Sequence, residues 1–445
     1  MRSKYFPTVN SIRIFAYVGL LVYLCYGLKY WRSQVAVDYY QYWVVGEAIS
    51  SMQITDIYDL NTEKVVREEF FKHAQKRNLV HELRCLYFWR NLKLNQTPFL
   101  YGLVHLISTG NFENDYEHFR LLSLAMYFGS IIILCHLLGN SIPLTLVLSV
   151  FFTSFFWPFK YDLQFANVNG IQVGFLTLFI WIRSKKDNFF WNLTGGFLLG
   201  LSIALKPNVI CSPALLLAFW LISRQFKLSL HESMGILCGM AIAVILPLAQ
   251  FGGSCGWSQW LKAFPSNEFL DSYAGKNFLS FFFNALNSKF LGIIEIILCI
   301  IPAIFLWKRR KRYLRINGST FKDNICLTTE RLLIGLGILI YLISGPLILG
   351  HYFLLLTIPI LILSGPIKEK LTTRPLFLSI IFMAVLIIDS HRVILNQDFT
   401  NSLNWYIFIF TGLITLYVAA LLELFALSRV EATEKNNADP FPVNF

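Results

Sequence analysis

Long apolar runs separated by short polar clusters recur along the whole chain. Crossing a hydrocarbon layer of about 30 Å takes roughly 20 apolar residues as helix. Backbone groups in lipid must find their partners within the chain, so helices are the expected element. The pattern predicts twelve spans, over 12–30, 121–138, 141–157, 168–183, 190–205, 207–222, 233–251, 289–307, 332–349, 351–364, 374–389 and 403–425. The apolar stretch 190–222 is divided at Lys206-Pro207-Asn208. As one helix it would extend about 50 Å, too long for a single crossing, and a proline disfavours helical backbone at the residue before it.

The segment 31–120, between the first two predicted spans, is far longer than an ordinary connection. Its pattern is not that of a disordered linker. Tyr39, Tyr42, Trp43, Val45, Ala48 and Ile49 recur at helical spacing, and Asn61 to His81 forms a second amphipathic stretch with its charge on one side. Both predict helices lying in the membrane interface. Thr97-Pro98-Phe99-Leu100-Tyr101 opens a further apolar piece, 99–108, too short to span and expected to be re-entrant or interfacial.

Composition agrees with the pattern. A chain that is 56% hydrophobic and 14% charged, with mean hydropathy +0.55, carries more apolar surface than one soluble core can bury. The expectation is an all-α polytopic membrane protein, with 1–430 as a single transmembrane domain and 431–445 as a polar cytoplasmic tail. Lysine and arginine accumulate in short cytoplasmic loops. With Arg2, Lys4 and Arg13 inside, the same side receives Arg183-Ser184-Lys185-Lys186, Arg224 and Lys227, the run Lys308-Arg309-Arg310-Lys311-Arg312, and Lys368, Lys370 and Arg374. The net charge of +12 therefore reads as a topology signal with both termini cytoplasmic. It does not point to nucleic acid, since no aromatic-interleaved basic domain accompanies it. The first apolar segment is too long for a signal-peptide core and has no small-x-small site after it, so it is expected to stay as an anchor. The eight cysteines show no CxxC spacing. Cys85 and Cys255 both fall on the outward side, and whether they pair is left open.

That outward side also collects Asp38, Asp162, Gln164, Asn167, Asn169, Lys206, Asn267, Lys276, Asn277, His351, Asp389, His391 and Arg392. Carboxylates, amides, a lysine and a histidine on one membrane face are what a reaction on a lipid-linked substrate needs.

Several short motifs in this set follow a known order. Val37-Asp38-Tyr39-Tyr40-Gln41-Tyr42-Trp43 is followed by Asp56-Ile57-Tyr58-Asp59, then by Thr97-Pro98-Phe99, Ala166-Asn167-Val168-Asn169, Leu205-Lys206-Pro207, and Ser344-Gly345-Pro346 to His351-Tyr352. The series resembles glycosyltransferase family 87 over roughly residues 12 to 365. Tyr273-Ala274-Gly275-Lys276-Asn277-Phe278-Leu279 stands where that family has an Asn-containing outer loop. Asn167 replaces the family's usual Gln and Ala166 its Gly, which leaves the sugar and the acceptor open.

The resemblance implies a GT-C-type fold with a long first extracytoplasmic loop. It implies transfer of a sugar, typically mannose, from a polyprenyl-phosphate donor to a lipid or glycan hydroxyl among membrane lipids. The site would face outward from the cytoplasmic (inner) membrane, with inversion and no cofactor.

Such a transfer needs a base for the acceptor proton, for which Asp38 is the candidate; the plainer alternative is a helix N-cap before Tyr39. The departing phosphate wants cations and donors aimed at the developing charge. Lys206 and His351 are the candidates, against a snorkelling lysine and a packed histidine; Arg392 has no motif behind it. Asn167 and Asn169 offer both donor and acceptor groups or serve as turn residues. Gln164, Lys276 and Asn277 join them as substrate-binding candidates, with Tyr40, Trp43 and Trp89 available to stack on sugar or isoprene. Asp56 and Asp59 read as turn residues, since a hard divalent ion needs more oxygen ligands, and no metal is expected. The rival function is a transporter or flippase of a lipid-linked sugar. Such proteins tend to bind near the midplane between repeated halves, and no internal repeat is visible here.

Overall fold

The computed structural model describes residues 35–52, 54–89, 94–185, 188–263, 288–315, 320–345, 350–364 and 402–427. The described residues contain helices and turns and no strand. The expected spans 12–30 and 374–389 lie outside them, as do Asn267, Lys276, Asn277, Asp389, His391, Arg392 and the 431–445 tail.

Among the described residues the predicted extracytoplasmic segment carries four helices before Phe112, α1 (Val37–Ser51), α2 (Leu60–Arg77), α3 (Val80–Trp89) and α4 (Pro98–Ile107). Asp59 caps α2, accepting from the N–H groups of Asn61 at 3.1 Å and Thr62 at 3.0 Å, and Asp56 accepts from the Tyr58 N–H at 2.9 Å, both as turn chemistry predicts. Thr97 caps α4 with Pro98 in its first turn, where the missing N–H costs nothing.

Helix α1 is packed more closely than an amphipathic stretch implies. Tyr39, Tyr40, Gln41, Tyr42, Trp43, Val44 and Val45 are all buried, so the middle of the helix is enclosed, in contact with α3, α4 and α5. Its aromatic residues form one stripe and Val37, Val44, Val45 and Ala48 fill the opposite side, and a helix apolar all round is buried.

The remaining helices are α5 (Phe112–Leu137), α6 (Ile142–Val150), α7 (Trp157–Phe165), α8 (Asn169–Arg183), α9 (Phe189–Leu205), α10 (Cys211–Ile222), α11 (Phe226–Phe251), α12 (Trp257–Ala263), α13 (Ser288–Arg315), α14 (Thr320–Ser344), α15 (Thr357–Ser364) and α16 (Ser402–Leu427). Among the described residues four stretches are long and apolar enough to cross a membrane, Phe112–Leu137, Phe226–Phe251, Cys326–Ser344 and Ile409–Leu427. Ile142–Thr153 and Pro158–Phe165, bent by 52° at the break between them, make a fifth if taken as one span. A chain with these helices is a membrane protein. Several expected spans are shorter helices than a straight crossing needs. The 190–222 run divides where expected, with a 3-10 turn Pro207–Val209 between α9 and α10. The connection between the predicted spans 141–157 and 168–183 is itself largely helix, α7.

Two features position the site. First, α9 and α11 meet through main chain. A Cβ on Gly196 would lie 2.1 Å from the Glu232 carbonyl oxygen, on Gly200 2.5 Å from that of Ile236, on Gly235 2.2 Å from that of Leu193 and on Gly239 2.6 Å from that of Phe197. Gly196/Gly200 and Gly235/Gly239 are two small-xxx-small pairs, which let membrane helices approach this closely. Second, α8 carries polar clusters at its two ends. At its C-terminus the Arg183 Nε and Nη2 each donate to Glu330 at 3.1 Å, and Nη1 donates to Asn192 at 2.9 Å. The same nitrogen lies 3.6 Å from Glu232, and the Trp220 indole donates to Glu330 at 2.7 Å. At the N-terminus of α8 stands the candidate active site.

Candidate active site

Helix α7 ends at Ala166, which adopts left-handed backbone at φ 54. The N–H of Asn167 closes the turn on the Asp162 carbonyl at 3.0 Å, and Asn169 then opens α8. Asp162, Asn167 and Asn169 are thereby gathered around one helix end. Lys206 arrives from the other direction, at the C-cap of α9. The last carbonyls of a helix lack intrahelical partners; here side chains from α8 and the α4 cap supply them. Gln172 Nε2 donates to the carbonyls of Ser202 at 3.0 Å and Lys206 at 2.8 Å, while the Thr97 hydroxyl donates to that of Ala204 at 2.7 Å. Asp38 stands in the first turn of α1, and the Ala36 N–H is tied to the Gln164 carbonyl at 3.0 Å.

These residues form one continuous chain of hydrogen bonds. Lys206 Nζ donates to Asn167 Oδ1 at 3.1 Å and to Asn169 Oδ1 at 3.2 Å. Asn167 Nδ2 donates to Asp38 Oδ2 at 2.7 Å, and Asn169 Nδ2 donates to Asp162 Oδ1 at 2.8 Å. The second Asp162 oxygen accepts from the Gly170 N–H at 3.3 Å. The Lys206 ammonium also lies 3.7 Å from the centroid of the Tyr352 ring, a cation–π contact. Tyr42 stands four residues beyond Asp38, on the same face of α1; its buried hydroxyl has no hydrogen-bond partner among the described residues.

Exposure divides the group. Asn167, Asn169, Asp162 and Lys206 are buried, whereas Asp38 is half-buried. Surrounding protein pushes the Asp38 carboxyl up to about 6, opposed by the Asn167 hydrogen bond and the Lys206 charge. Burial pulls Lys206 well below the ordinary lysine range, opposed by the charges of Asp38 and Asp162. A carboxylate of this kind takes up and releases a proton near neutral pH.

The plainer alternatives for two residues are corrected. The N-cap of α1 is Ala36, so Asp38 is not a cap; Lys206 is 5% exposed and does not reach out to water. Tyr40 points elsewhere, its hydroxyl donating to Glu82 at 3.1 Å and its ring packed edge-on against Phe112. The Gln164 side chain is exposed, and its link to the site is the backbone bond to Ala36. His351 lies on the 3-10 turn Gly350–Leu356, immediately before Tyr352. Cys85 and Cys255 are separate buried thiols, one donating to the Val35 carbonyl, the other beside the Tyr58 hydroxyl. Residues not singled out from sequence are Asp162 as a partner of Asn169, Tyr42, Gln172 and Tyr352. Tyr42 had a signal, its i, i+4 relation to Asp38.

A model of glycosyltransferase family 87 matches residues 97–329, more than half of the chain. The chain belongs to glycosyltransferase family 87. Within the matched stretch this glycosyltransferase carries Thr97, Asp162, Asn167, Asn169 and Lys206, while Asp38 and Tyr352 come to them from outside it. The all-helical membrane architecture is consistent with the GT-C fold of the family. No curated protein and no solved structure matches the chain.

Proposed function

We propose that this family 87 glycosyltransferase takes its sugar, with mannose the first candidate, from a polyprenyl-phosphate donor. The acceptor is a lipid or glycan hydroxyl at the extracytoplasmic face of the cytoplasmic membrane. Transfer is a single inverting displacement with Asp38 as general base. The acceptor oxygen bonds to the anomeric carbon as its proton passes to Asp38, and the bond from that carbon to the phosphate oxygen breaks, its electron pair leaving with the polyprenyl phosphate.

The observation that carries this reading is the half-open Asp38 at the edge of an otherwise buried polar chain. Asn167 engages Oδ2, and Oδ1 has no hydrogen bond among the described residues, which leaves it for an acceptor hydroxyl. Holding a lipid-anchored donor beside the acceptor makes the step effectively unimolecular. Lys206 supplies positive charge behind the carboxylate. His351, Lys276 and Asn277 remain candidates for the departing phosphate on their place in the motif order, and Gln164 and Tyr40 for substrate contacts.

The test is transfer of labelled mannose from polyprenyl-phosphate-mannose to endogenous acceptors, in membranes carrying wild type or Asp38→Asn at matched expression. Activity that is lost in the variant while donor binding persists supports both donor and base. Equal activity in both removes Asp38 from the mechanism. No activity in either makes this donor wrong, and a lipid-flipping assay then addresses the transport alternative.

A further inference from the structure

We propose that Asp162 is a positioning residue for sugar transfer: through Asn169 it holds Lys206 at the centre of the site, and thereby orients the Asp38 arm, without meeting a substrate itself. The proposal rests on the reading of Asp38 as the base.

The argument starts from the two amides. An ammonium only donates and a carboxylate only accepts. An asparagine between them must turn its oxygen to the lysine and its nitrogen to the carboxylate. Both asparagines do so. Asp38, Asn167 and Lys206 form one arm, with contacts of 2.7 and 3.1 Å; Asp162, Asn169 and Lys206 form a second, with contacts of 2.8 and 3.2 Å. Asn167 Oδ1 also accepts from the Val168 N–H at 2.8 Å, which favours the same orientation. Lys206 is therefore held from two sides and faced by the Tyr352 ring.

The arms differ at their far ends. Asp38 is half-buried; Asp162 is 1% exposed, and its two oxygens accept from Asn169 and the Gly170 N–H. Such a carboxylate has no access to a reacting group. Burial pushes the Asp162 carboxyl up to about 8, opposed by the Asn169 hydrogen bond and the Lys206 charge, so its ionised form, accepting on both oxygens, depends on the arm that leads through Asn169 to Lys206. Releasing the second arm would let the ammonium follow the first arm alone, changing the geometry from which Asn167 presents its nitrogen to Asp38.

The experiment uses the full chain in lipid nanodiscs with Asp162→Asn, Asn169→Ala and the double variant. Asp162→Asn keeps the size and an acceptor for Asn169 while removing the charge. Asn169→Ala leaves the Asp162 contact to the Gly170 N–H in place, and carries the test alone should the other variant fail to fold. Two readouts are taken. One is the side-chain ammonium resonance of Lys206 in ¹⁵N-lysine-labelled protein, assigned by its disappearance in Lys206→Arg. The other is kcat and KM with polyprenyl-phosphate-mannose.

The expected result is loss or broadening of the Lys206 resonance in each variant. With it comes a fall in kcat of about tenfold or more at little-changed donor KM, and a double variant no worse than the poorer single one, as for residues acting as a unit. An unchanged resonance overturns the proposal, as does an unchanged kcat or a double variant whose losses multiply. If wild type does not turn over this donor, the functional reading fails and the resonance alone decides the positioning role, in the same sense.

Discussion

Burial raises the Asp38 carboxyl, while the Asn167 hydrogen bond and the charge of the neighbouring lysine pull it back down. Transfer should fall as pH drops through about 6, because the base must be ionised to accept a proton. Lys206 lowers the Asp38 pKa, so Lys206→Met should move that acid limb to higher pH; a pH–rate profile of both proteins checks the sign. Asp38→Asn should cost about 10²–10⁴-fold in rate, with binding of labelled donor retained. Much of this site was legible in the residues themselves. Asp38, Asn167, Asn169 and Lys206 stood in motif order and meet in space. Tyr40 and Tyr42 were separable by helical geometry alone, since at about 100° per residue Tyr40 stands roughly 200° from Asp38 while Tyr42 returns close to it. Asp162 and Tyr352 were in view, but their roles were not. Their partners, Asn169 and Lys206, are contacts between helix ends, which no periodicity encodes.

Helices α9 and α11 owe their contact to absent side chains. Gly196→Val would force a Cβ to within 2.1 Å of a backbone oxygen that has no rotamer by which to yield. Overpacking typically costs about 1–3 kcal/mol; the expected outcome is a lower melting temperature in detergent and less folded protein, read by size-exclusion after heating. Gly129→Val makes the control, because nothing lies within 4 Å of a Cβ there. The two small-xxx-small pairs were present in the sequence as Gly196/Gly200 and Gly235/Gly239, but such spacing does not say which helix faces which. The division at Lys206-Pro207-Asn208 was legible because length and proline agreed. The enclosure of α1 was not: a stripe of aromatic residues looks the same whether the opposite face meets water or α3 and α5.

The two polar clusters on α8 stand at opposite ends of one helix. Fourteen helical steps at 1.5 Å separate Asn169 from Arg183, about 21 Å, with a sugar-transfer site proposed at one end and an ionic knot at the other. Arg183 entered the charge count as a loop residue, yet its side chain is mostly buried and its charge is spent on Glu330 and Glu232. Composition and apolar patterning made the membrane character legible; the number of straight crossings was less so, since bends and short helices depend on how neighbours pack. Removing one partner of a buried pair costs about 3–5 kcal/mol, so Glu330→Ala should destabilise the whole bundle in thermal denaturation. The surviving folded molecules should keep their specific activity, because the knot lies far from Asp38.

The main-chain contact between α9 and α11 has a further consequence for how a lipid-borne donor enters. Two helices touching backbone to backbone have no soft joint between them and travel as one rail, with Lys206 mounted at its end. A rail cannot also be the door. Whatever opening the reaction cycle requires falls to elements outside this pair that meet the lysine through side chains alone, as the Tyr352 ring does.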